Sequence, residues 1–102
     1  MEPLLKRENK FVLDVVRAAL GLISRDMLAI SIGVSQDRVM LYFVVRERNH
    51  QVDEDIEDII FELYTLQSGP IEVDLSVHVG LPNTEWPGIS GRRVFVAKDA
   101  ME

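Results

Sequence analysis

The chain has 102 residues, 47% of them hydrophobic and 27% charged, no cysteine, and a formal charge of −6. That length makes one domain, residues 1–102, able to bury a single core, and without cysteine there is no disulfide framework, zinc ribbon or thiol nucleophile. No apolar run reaches the roughly 7 to 15 residues of a signal peptide or the roughly 18 of a membrane span, so a cytoplasmic protein that stays off membranes is expected.

Residues 1–8 read as an N-terminal arm. From Asn9 to Ser24, Phe11, Val12, Val15, Val16, Ala19, Leu22 and Ile23 recur at helical spacing, with Asn9 as N-cap. Leu13 and Leu20 broaden the apolar arc of this first helix, so more than one of its sides is expected to be covered. Phe11 and the three valines are expected in the core.

Met27–Val34 and Arg38–Arg46 are rich in β-branched and aromatic residues and flank Ser35-Gln36-Asp37, which has turn chemistry. They predict a hairpin. Leu28, Ile30, Ile32 and Val34 form one face, matched by Val39, Leu41, Phe43 and Val45, while Met40, Tyr42 and Val44 point the other way.

Val52, Ile56, Ile59, Ile60, Leu63 and Leu66 then repeat at steps of three and four, the strongest amphipathic pattern in the chain. This predicts a second helix over 52–66, ended by Gln67-Ser68-Gly69-Pro70, since Gly suits a left-handed cap and Pro cannot continue the helix. Ile71 to Val79 alternates, with Ile71, Val73, Leu75, Val77 and Val79 inward. A loop from Gly80 to Gly91 leads to a last strand, Arg92 to Lys98, around Val94 and Val96, and residues 99–102 form a frayed tail.

The order αββαββ predicts an α+β two-layer sandwich: a four-stranded, mostly antiparallel sheet with both helices on one face. A cyclic permutation of the ferredoxin-like order and two αββ units about a pseudo-dyad both satisfy this pattern.

Charge carries the functional information. From Asn49 to Gly91 there is no Lys or Arg but nine acids, so the formal −6 divides into −9 in that stretch and +3 elsewhere. Nucleic acid and anionic lipid are unsuitable partners, because phosphate binding needs clustered Lys and Arg.

On the second helix, a turn of about 100° per residue places Phe61 about 140° from Ile56, among Glu57, Glu54 and Asp58. A ring displayed among carboxylates is the pattern of an interface anchor whose surroundings steer a cationic partner. Against this stands the plainer reading of a solvated helix face with Phe61 widening the buried stripe. Glu54, Asp58 and Glu62 lie four residues apart, a like-charge spacing that costs about 0.2 to 0.5 kcal/mol per neighbour.

In the Gly80 to Gly91 loop, Trp86 beside Glu85 suits docking into a partner, but the favoured reading is that it folds back to close one end of the core, since a lone Trp is usually largely buried. The acids of Asp53–Glu62 lack the spacing and loop glycine of a calcium site, and neither metal nor cofactor is expected. Ser76, His78 and Asp74 share one strand face at spacings of roughly 6 to 7 Å, too far for a hydrogen-bonded relay, and nothing marks an oxyanion hole. No catalytic residue is therefore assigned.

In size, acidity and lack of catalytic groups the chain resembles the small bacterial immunity and antitoxin proteins that neutralise cationic nucleases; the resemblance lies in composition, not in a motif. It implies a non-enzymatic, cytoplasmic binding module. Glu54, Glu57, Asp58, Phe61, Glu62, Glu85 and Trp86 would meet a basic protein partner such as a toxin or nuclease domain. The alternative is a homodimeric structural or accessory subunit using an exposed sheet face through Tyr42, Val44 and Phe95. A small-ligand binder or enzyme at the His78 face ranks below both.

Overall fold

In the computed structural model, residues 2–23, 26–35, 38–67, 71–80 and 91–97 are described, the side chains of residues 2–5 excepted. Two helices and four strands follow the predicted order: α1 (Glu2–Ala19), β1 (Met27–Val34), β2 (Arg38–Val45), α2 (His50–Thr65), β3 (Glu72–Val79) and β4 (Arg92–Val96). The result is an α+β fold with a mixed sheet of order β3-β2-β1-β4.

Helix α1 begins at Glu2, seven residues before the expected N-cap, so residues 2–8 are not an arm. Pro3 permits this, because a first-turn residue has no intrahelical partner for the N–H that proline lacks. Asn9 is mid-helix, and its Oδ1 accepts a hydrogen bond from Arg92 on β4. At the other end Gly21 has φ 80, a left-handed conformation that lets the chain leave the helix toward β1.

β1 and β2 form the expected antiparallel hairpin, with Ile30 opposite Phe43 and Ile32 opposite Leu41. One residue departs from the alternation. A register shift between Met27 and Ala29 inserts Leu28 as a bulge; it joins Ala29 and Val44 on the face opposite the helices. An extra residue turns its side chain to the other face of the pleat.

The second αββ unit is not a hairpin. β3 pairs parallel to β2, with Val39 opposite Val73 and Val45 opposite Val79, while β4 pairs antiparallel to β1 at the far edge. This order is neither the ferredoxin-like permutation nor the pseudo-dyad. A second register shift, between Ile30 and Ser31 on β1, leaves Val94 out of the β4 register, so Phe95 lies opposite Ile30 and Val96 opposite Ala29. Phe95 accordingly packs on the helix-side core and Val96 on the other face, the reverse of the simple alternation.

One core joins both helices to the sheet. Phe11, Val15, Ala18 and Ala19 of α1 and Val52, Ile56, Ile59 and Leu63 of α2 close over Met27, Ile30, Ile32, Val39, Leu41, Phe43 and Val45. Each large side chain among these that is fully buried stabilises the fold by roughly 1.5–3 kcal/mol. Val12 is half-buried and Val16 is 42% exposed, so only one of the three valines of α1 is fully in the core.

The helices pack on each other. Asp14 of α1, 6% exposed, accepts from Lys10 Nζ at 2.7 Å and from Gln67 Nε2, just beyond α2, at 3.0 Å. Gln67 Nε2 also donates to Leu63 O, tying the end of α2 to the middle of α1. α1 rests on β1 and β4, and the Arg92 to Glu8 ion pair at 3.1 Å links it to the latter.

Candidate functional site

The phase of α2 is set at its start. Asn49, extended at φ −144 and ψ 175, accepts from Val52 N through its side chain, a 2.9 Å N-cap bond that satisfies one of the first-turn amides. With the cap at Asn49, Val52, Ile56, Ile59 and Leu63 face the sheet and are buried, and Asp55 at one flank is buried with them. Gln51 Nε2 donates to Asp55 at 3.0 Å, which answers the polarity of that carboxylate.

The remaining acids turn outward. Asp53 pairs with Arg48 at 2.7 Å, and Glu54 lies 3.3 Å from His50 Nε2. Glu57, Asp58 and Glu62 are exposed, and among the described residues no cation reaches them. Acids in the first turn complement the positive end of the helix dipole, but Glu57, Asp58 and Glu62 lie beyond its reach.

Phe61 stands in this arc at 65% exposure. Helical rotation sets Glu57 about 40° to one side and Glu54, Asp58 and Glu62 about 20°, 60° and 100° to the other. The structure therefore gathers Glu54, Glu57, Asp58, Phe61 and Glu62 on one outward surface. Glu85 and Trp86, the other two expected partner-binding residues, lie outside the described residues.

Three residues that belong with this surface were not singled out by sequence reasoning. Tyr64, 44% exposed, has its hydroxyl 3.3 Å from Val73 N and accepts a hydrogen bond from it, which fixes this flank of α2 above β3. Leu75 and Val79, on the helix side of β3, are 45% and 53% exposed although their alternation marked them as inward. Alternation identifies a face, not whether that face is covered, and on β3, an edge strand, the helices cover that face only in part. Tyr64 was legible as the neighbour three residues beyond Phe61 and one heptad beyond Glu57.

A second apolar surface lies on α1. Leu13, Val16 and Leu20 share one stripe at steps of three and four and are 63%, 42% and 73% exposed. Val16 and Leu20 border an open groove of about 230 Å³ whose floor includes Ile30, Val94 and Phe95. The breadth of the apolar arc on this helix was its signal in the sequence.

The face of the sheet opposite the helices has a different character from the one expected. Leu28, Ala29, Ser31 and Val44 are buried there, at 0 to 1% exposure. Val44 is thus closed to a partner, and Phe95 is on the other side of the sheet, so Tyr42, Val44 and Phe95 do not form one docking face.

On the same side Arg38 takes both acids of β3, Glu72 at 2.9 Å and Asp74 at 2.8 Å. Asp74, in the row with Ser76 and His78, is thereby held by Arg38. Among the described residues no group of three His, Asp or Glu side chains is placed to hold a metal ion. No described helix is long and apolar enough to cross a membrane. Compared with known family models and with curated proteins, the chain matches none.

Proposed function

We propose that the protein is a non-enzymatic binding module that receives a cationic protein on the outward surface of α2. Its most concrete form is a cytoplasmic inhibitor of a basic toxin or nuclease domain, as in bacterial immunity and antitoxin systems. The observation that carries this reading is the 65% exposed ring of Phe61 standing among Glu57, Asp58 and Glu62. An exposed aromatic supplies contact area, and uncompensated carboxylates around it steer a positive partner and set register.

The test is a capture from host lysate on immobilised protein, with the retained partner then measured in stopped flow. The expected partner carries a basic patch, and its association rate falls at least about tenfold between low and high salt, as steering requires. Phe61→Ala combined with Glu57→Lys abolishes capture. A partner that binds equally fast at both ionic strengths, or that ignores the double substitution, overturns the reading.

A second reading is supported by the α1 stripe: self-association through Leu13, Val16 and Leu20 in place of the sheet face. It requires a concentration-dependent dimer in sedimentation that Leu20→Lys dissolves. A monomer at high concentration excludes it.

A further inference from the structure

We propose that the outer edge of β3, beneath the Tyr64 and Glu57 flank of α2, takes up an extended cationic segment of the partner as a fifth strand. This rests on the reading of α2 as the surface for a basic protein, and it adds the form of the partner to its charge.

In a parallel ladder the N–H and C=O of one residue point to the same side and alternate along the strand. Gly80 N donates to Val45 O at 3.0 Å, so the even-numbered residues of β3 serve β2. The odd-numbered residues, Val73, Leu75, Val77 and Val79, then direct their peptide groups to the outer edge. Val73 N donates to Tyr64 Oη in agreement with that parity. Beyond Val73, whose N–H is taken by Tyr64, no described residue bonds the outer edge. The strand also lacks the usual guards: it contains no Pro, no Lys and no described bulge, and Leu75 and Val79 are about half exposed.

Glu57 decides what can dock. Tyr64 stands over Val73, and Glu57, seven residues back, lies on the same flank about 20° away. Seven helical residues span roughly 10 Å, the length of three strand residues, which sets Glu57 over the middle of β3 near Ser76. A second copy paired to β3 about a two-fold axis there would bring Glu57 against its own mate, with Glu54 and Asp58 behind each. Like charges at that closeness reject a copy of this chain. An added strand whose central inward residue is Arg or Lys meets Glu57 favourably, and its apolar neighbours cover Leu75 and Val79.

The probe is an acetylated peptide Lys-Thr-Val-Thr-Arg-Thr-Val-Thr-Lys, titrated into the intact protein and followed by amide exchange in NMR spectra. Protection of the Leu75, Val77 and Val79 amides is expected to rise at least about tenfold at saturation. The same peptide with both Val residues N-methylated gives no such protection, because pairing is blocked while charge is kept. Replacing its central Arg by Glu weakens binding at least about tenfold.

Three results overturn the proposal: peptide bound without new protection on β3, edge amides already as slow as those of β2 in the free protein, or no binding at millimolar peptide. If the N-methylated peptide binds equally well to α2 and still depends on its Arg, strand addition fails and the reading of α2 stands. If binding ignores the exchange of Arg for Glu, the reading of α2 fails as well.

Discussion

Phe61 and Ile59 are two apolar side chains two residues apart on α2, and truncating each should cost very different amounts of stability. Ile59 is fully buried and Phe61 is 65% exposed. A phenylalanine can bury roughly 200 Å², so about a third of that, ~70 Å², is covered at Phe61, an upper bound of ~1.8 kcal/mol at roughly 25 cal/mol per Å². Alanine recovers about 0.5 kcal/mol through its better helix propensity. Phe61→Ala should therefore cost about 1.3 kcal/mol or less, whereas Ile59→Ala, which removes transfer energy and leaves a cavity, should cost about 2–5 kcal/mol. Urea unfolding followed by far-UV ellipticity gives both values from midpoints at a shared slope. Equal losses in the two variants would place the ring in the interior and remove the anchor from the proposed interface.

Asn49→Ala removes the acceptor for Val52 N and should cost about 1 kcal/mol in the same unfolding assay; no change would mean the cap does not hold α2 in phase. Leu75→Pro deletes an N–H that faces the outer edge and Ser76→Pro one that serves β2, so the first should cost less by at least about 2 kcal/mol, and equal costs would contradict the parity assigned to β3. Glu57→Lys and Glu47→Lys change net charge equally, but only the first should slow association with a captured cationic partner at low salt by about tenfold or more; equal slowing would make net charge, not the α2 surface, the cause.

The helices and the hairpin were legible because each has one buried face and a clean period. Ile56, Ile59 and Leu63 fall on a stripe that no strand pattern produces, and Val39, Leu41 and Phe43 alternate without interruption. Two bulges defeated the same logic. A single inserted residue at Leu28, or at Val94, reverses which side of the sheet the following or preceding side chains occupy, and the sequence around each remains uniformly apolar, so nothing in its pattern marks the slip.

Strand order was hidden for a different reason. Local alternation in Glu72–Val79 is the same whether that strand pairs with β2 or with β4, and only tertiary pairing chooses. Similarly, Phe61 could be placed away from the stripe by counting, yet its exposure depended on what else packs there. That is not a local property.

The mixed topology gives the charge pattern its meaning. Because β3 returns parallel to β2, the intervening α2 must lie over that pair, and the long anionic stretch becomes one edge of the molecule rather than being spread through it. At the opposite edge β4 carries Arg92 and Arg93 beside α1. Charge is thus separated across the width of the sheet, about 14 Å between outer strands, which exceeds the ~10 Å screening length at 0.1 M salt. On the proposed reading, a cationic partner approaching from a distance would feel net attraction, and within a screening length it would be drawn to α2 and β3 rather than to β4. Such a field would select orientation before contact and turn the ring of Phe61 and the outer edge of β3 toward the proposed partner.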